Sequence, residues 1–157
     1  MKPATVKQLK DELKSRDNQQ LVELCLSLTK FKKENKELLT YLLFEAEDER
    51  GYIDSVKEEI KEEFSLINVS SYYFMKKSIR KILRNVKKHI RYSKKKETEI
   101  ELLIYFCHEM RELNPSIDYN VTLANLFSRQ LDMINKKMLL VHEDLRYDFE
   151  LELESLA

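Results

Sequence analysis

The residues best equipped for chemistry in this chain are few and scattered. Cys107, His108 and Glu109 set a thiol, an imidazole and a carboxylate side by side, a set that could activate a nucleophile or hold a metal. Consecutive helix positions point about 100° apart, so the three do not converge. The pattern predicts a buried thiol next to a surface histidine. His89, His108 and His142 lie far apart, and neither HxxxH nor ExxH occurs. The di-metal sites that helical bundles build from ExxH therefore lack their ligands. Glycine occurs once, at Gly51, which excludes a glycine-rich phosphate loop. Carboxylate pairs such as EEIKEE (58–63) carry lysine neighbours and belong to a solvated face. No catalytic residue, metal ligand or cofactor is expected, and the chain reads as non-enzymatic.

One region does carry a signal. Residues 72–96, YYFMKKSIRKILRNVKKHIRYSKKK, hold eleven Lys and Arg and no acidic residue. On a helix, Tyr72, Met75, Ile79, Ile82, Leu83, Val86 and Ile90 form the stripe expected to be buried. Lys76, Lys77, Arg80, Lys81, Arg84, Lys87, Lys88 and Arg91 fall on one arc beside it. Ser78, Asn85 and Tyr92 make a neutral flank. A helix that is merely solvated usually mixes charge signs around its exposed side. This one is positive on one side only.

Acidic stretches bracket it. Residues 45–63 carry nine acidic against three basic side chains, 97–112 five against one, and 143–154 six against one. The formal net charge of zero is thus a sum of segregated blocks. Crowded like charges repel unless something negative lies near. Acidic helices of the same molecule could supply it, or an external polyanion could. Nucleic acid leads the external candidates, since a ridge roughly 30 Å long can follow several phosphates. Lys77, Arg80, Lys81, Arg84, Lys87, Lys88 and Arg91 are the expected contacts, with Tyr72, Tyr73 and Tyr92 at the ends placed to stack bases. An acidic protein surface is the other partner considered, as is self-association of acidic and basic faces between copies. A membrane surface ranks behind these, because insertion would pull the apolar stripe out of the core.

The elements that must position these residues are helices. One glycine and two prolines among 157 residues leave few tight turns, and Leu, Lys and Glu are abundant. The expectation is a single all-α domain over residues 1–157, with seven or eight helices packed as antiparallel hairpins in a bundle or short solenoid. Thr5 caps a first helix, to about Arg16, with Val6, Leu9 and Leu13 on one face. Asp17 or Asn18 caps the second, carrying Leu21, Leu24, Cys25, Leu28 and Phe31. A third covers KENKELLTYLLFEA, and Gly51 marks a break before a fourth. The fifth spans about Ser71 to Tyr92 and the sixth about Glu97 to Leu113. The sixth is apolar over more than half its circumference and is expected at the centre. A seventh starts near Asn120. LRYDFELELES alternates like a strand, yet Val141, Leu145, Phe149 and Leu153 sit four apart. A lone strand would leave its backbone groups without partners, so a helix is expected. Ile104, Cys107, Phe127 and Ile134 should be buried, and both Cys25 and Cys107 should be reduced, inert core thiols. The start has no apolar leader and no apolar run is long enough to span a membrane, which points to a cytoplasmic protein.

Two family resemblances carry less than the charge layout. TVKQLKDELKSRDNQQLVELCLSL resembles the opening of a SAP domain, a DNA-gripping hairpin, through Val6, Leu9, Lys10, Leu13, Lys14, Arg16 and Leu21-Val22. The loop DNQQ is too short and lacks glycine, and Leu24 and Cys25 stand where a basic residue belongs. The SAP reading is rejected. QQLVELCLSLTKFKKENKELLTYLLFE is similar to the N-terminal part of uncharacterised all-helical bacterial proteins, a domain family of unknown function. That likeness implies an α-helical bacterial cytoplasmic protein and supplies no site residues.

Overall fold

The computed structural model describes residues 1–156, and eight α-helices account for most of them. The length suited one domain, but the internal contacts fall into two compact units, Met1–Phe44 and a second beginning at Glu45.

The first unit holds α1 (Val6–Lys14), α2 (Asn18–Phe31) and α3 (Lys33–Thr40), which runs into a π-helical turn over Tyr41–Glu45. Capping is reciprocal at the first two helices. The Gln8 amide donates to Thr5 Oγ1 at 3.3 Å while the Thr5 amide donates to Gln8 Oε1 at 2.9 Å. Asp17 and Gln20 repeat the device at α2. α2 and α3 pack as a hairpin, tied by Asn35 Nδ2 donating to the Leu28 carbonyl at 2.8 Å. No residue of α1, α2 or α3 is buried. The faces expected to form core, with Val6, Leu9, Leu13, Leu24, Leu28 and Phe31, are open instead. Cys25 is exposed too, correcting its assignment as a core thiol. Periodicity marks an apolar face, but three short helices supply too little material to enclose it.

The second unit contains α4 (Glu49–Ser65), α5 (Tyr72–Ser93), α6 (Lys96–Arg111), α7 (Val121–Met138) and α8 (Glu143–Glu154). α6 is the hub, packed against α4, α5, α7 and α8. It buries Ile100, Leu102, Leu103, Ile104, Phe106, Cys107 and Met110, and α7 adds Leu123, Phe127 and Ile134. Phe64 of α4 meets Phe106 edge to face, with ring centroids 5.5 Å apart. Each such side chain contributes roughly 1.5–3 kcal/mol by leaving water. The expected centre of the fold is therefore observed. The ambiguous C-terminal segment is helix α8, lying against α6.

Gly51 does not break the chain. It stands inside the first turn of α4, and the interruption lies just before, at 46–48. Asp48 caps the helix by accepting from the Gly51 amide at 3.0 Å. Its carboxyl carbon would lie 2.9 Å from a Cβ at position 51, so the cap occupies the space a side chain would need. At the far end of α5 the chain turns through Lys94, whose φ is 59°. Glu49 fastens this corner. It accepts from Ser93 Oγ, accepts from Thr98 Oγ1 at 2.6 Å and pairs with Lys95 Nζ at 3.1 Å, joining the starts of α4 and α6 to the end of α5.

Candidate polyanion-binding ridge

α5 is capped at Ser71, whose hydroxyl accepts from the Phe74 amide. Of the apolar stripe, Met75, Ile79, Ile82, Leu83 and Val86 are buried, and Tyr72 and Ile90 at its ends are half-buried. The neutral flank faces α4. Asn85 Nδ2 donates to Glu63 Oε1 at 3.0 Å, and Tyr52 hydroxyl donates to the His89 carbonyl at 3.0 Å. His89 Nε2 lies 3.2 Å from a Glu59 carboxylate oxygen but out of line for a hydrogen bond. On the opposite flank, Lys87 Nζ reaches Met133 Sδ of α7 at 4.0 Å.

Between these flanks the basic arc emerges. Lys77, Arg80, Lys81, Arg84 and Arg91 are exposed, and Lys76, Lys87 and Lys88 are half-buried. Among the described residues, Lys76, Lys77, Arg80, Lys81, Arg84 and Arg91 form no ion pair. The acidic side chains around them are directed elsewhere. Glu49 holds the α5–α6 corner and Glu63 holds Asn85. Glu101 of α6 takes Arg50 and Lys57 of α4, each at 2.6 Å. Burial would raise the Glu101 carboxyl, but the bonds from Arg50 and Lys57 outweigh it and hold the group below its ordinary value. α8 packs on α6, and its exposed Glu143, Asp148, Glu150 and Glu154 have no Lys or Arg partner among the described residues.

The tyrosines divide. Tyr73 is 68% exposed and sits edge to face with Phe74 at 5.5 Å between centroids. Tyr72 is half-buried, its hydroxyl donating to the Ser116 carbonyl at 2.7 Å. Tyr92, expected at the surface, is buried against His89, so it is withdrawn as a stacking residue. The flank that looked neutral in sequence is a packing face.

Cys107 is fully buried while His108 is exposed, so the two side chains face different surroundings. Burial among apolar side chains pushes the Cys107 thiol up to about 12, with Arg111 opposing. Among the described residues no group of three or more His, Cys, Asp or Glu could hold a metal ion. Among those residues no helix is long and apolar enough to cross a membrane. A shallow cavity of about 250 Å³ between α4, α6 and α8 is lined by Lys57, Glu101, Tyr105, His108 and Glu152. Lys57 and Glu101 are paired with one another there.

The site is thus a one-sided cationic helix set in an all-α unit. No protein-family model, curated protein or solved structure matches the chain.

Proposed function

We propose that this chain is a non-enzymatic binding module whose working surface is the basic arc of α5, and that the arc contacts nucleic acid. The observation that carries this is the row of exposed cations without ion pairs on a helix whose other sides are packed. Repulsion along such a row is relieved when phosphates approach and their counterions are released. Log affinity should then fall linearly with log salt, by about 0.7 per phosphate contact for a single strand and 0.9 for a duplex. Replacing Arg80, Arg84 and Arg91 together by Gln should flatten that slope by about 2 and leave the melting temperature nearly unchanged, since exposed side chains without partners contribute little to stability. Absence of binding to any nucleic acid at low salt ends this reading.

A second reading rests on α8. Its exposed Glu143, Asp148, Glu150 and Glu154 complement the arc in sign, and neither they nor Lys77, Arg80, Lys81, Arg84 and Arg91 form an ion pair among the described residues, so a second copy could bring them together in a head-to-tail contact. In that case the triple Gln change lowers the self-association seen in sedimentation and leaves nucleic-acid binding weak throughout.

A further inference from the structure

Resting on that reading, we infer that the ridge is built for single-stranded nucleic acid held without regard to sequence, and that Tyr73 stacks a base at its N-terminal end. Tyr73 precedes Arg80 by seven residues, Arg84 by eleven and Arg91 by eighteen. Those spacings are near-multiples of the helical repeat, so the ring stands on the line of the arginines. From Tyr73 to Arg91 the line runs roughly 27 Å at 1.5 Å per residue. The tyrosine is exposed, its hydroxyl has no partner among the described residues, and Phe74 braces the ring at its edge. An exposed aromatic ring at one end of a cationic track is the combination that single-strand binders use, because every base has a stacking face. Guanidinium groups add planar surfaces of their own along the track.

The surroundings of α5 disfavour a duplex. A major groove about 12 Å wide takes a helix about 10–12 Å across. A helix that enters it must therefore stand clear on both flanks. α5 does not: α4 covers one flank through Asn85 and Glu63, and α7 meets the other at Lys87 and Met133. Only the arc emerges, which reaches phosphates and splayed bases but not base edges at the floor of a groove. A straight row of cations also follows a flexible strand along its length, whereas a duplex backbone winds away from it. A lipid surface would call for apolar side chains along the same line. Here every ridge position after Tyr73 and Phe74 is charged.

The test uses the full chain in fluorescence anisotropy at low salt. The probes are labelled oligo(dT), oligo(U), a mixed-sequence single strand and the corresponding duplex, each about 20 nucleotides long to exceed the ridge. Single strands should bind at least about tenfold more tightly than the duplex, with oligo(dT) and a mixed-sequence strand within a few-fold of each other. Tyr73→Ala and Tyr73→Leu should each weaken single-strand binding about 5- to 100-fold, the loss of one stacked base, and Tyr73→Phe should restore it. The salt slope should stay the same in all three, since no charge is lost. Circular dichroism confirms that each variant is folded. Equal affinity for duplex and single strand, or unchanged binding by Tyr73→Leu, overturns this inference and leaves the polyanion reading intact. Tighter binding to phosphatidylserine/phosphatidylcholine vesicles than to any strand overturns the inference and the nucleic-acid reading together, as does the absence of binding to any probe.

Discussion

α2 and α6 are both half-apolar helices of similar length, 14 and 16 residues, yet they live in opposite surroundings. α6 buries eight of its side chains, and α2 buries none. The difference is not in apolar content. α6 has neighbours on four sides, while α2 has an extensive contact with α3 alone. An apolar face becomes core only where other elements close over it, and the leucine pattern records the need without recording the partner. Ion pairs tell the same story. In the first unit Arg16 and Glu12 meet at 3.4 Å one turn apart, both well exposed, whereas Glu101 gathers Arg50 and Lys57 from a different helix.

Core truncation gives the sharpest contrast. Phe106→Ala should cost about 3–5 kcal/mol, because the ring is fully buried and Phe64 would lose its edge contact. Phe31→Ala in α2, where the ring is 84% exposed, should cost less than about 0.5 kcal/mol. Denaturant midpoints measure both, and similar losses at the two sites would erase the distinction between the units.

Thiol labelling probes the same contrast chemically. Cys25 should react with an aqueous thiol reagent in the folded protein at least about a hundredfold faster than Cys107, which is both inaccessible and held as a thiol. Modification of Cys107 should await unfolding. Comparable rates for the two would place Cys107 at a surface.

The smallest effect concerns pH. Glu101 is held below its ordinary value, so its contribution is complete above about pH 4.3, the unfolded-state value, and fades as pH falls through the folded-state value. Glu101→Gln should lower stability at neutral pH by about 1 kcal/mol and flatten the acid limb of the stability curve. Glu12→Gln should move neither by more than about 0.3 kcal/mol. An acid limb unchanged by Glu101→Gln would show that the Arg50–Glu101–Lys57 group adds nothing to the second unit.

Much of this was legible in the residues. The cap at Thr5, a cap at one of Asp17 and Asn18, a helix start near Ser71 and another near Asn120, and the central place of α6 follow from local chemistry and periodicity. So does the helix at 143–154. The burial of Ile104, Cys107, Phe127 and Ile134 follows as well. What was not legible depends on which element lies next to which. Leu24 and Phe31 carry a core pattern without a cover. Gly51 signals a break, but its lack of a side chain makes room for the Asp48 cap. Tyr92 stands on the side where α4 packs. The segregation of charge was visible, but its consequence was not: Glu49, Glu63 and Glu59 of α4 lie at the corner, Asn85 and His89, and Glu101 turns to α4, so that Lys77, Arg80, Lys81, Arg84 and Arg91 form no ion pair among the described residues.

The corner held by Glu49 also decides where this chain can be opened. Ser93, Lys95 and Thr98 reach the same carboxylate only because two residues separate α5 from α6. An insertion there would scatter the three groups and release α5 from its neighbours. Among the described residues the link between α4 and α5 carries no such bond: Asn68, Val69 and Ser70 are exposed, and Asn68 Oδ1 accepts from the nearby Ser70 amide. A tag, a reporter or new chain ends belong at 68–70, where the backbone can lengthen without disturbing what it connects.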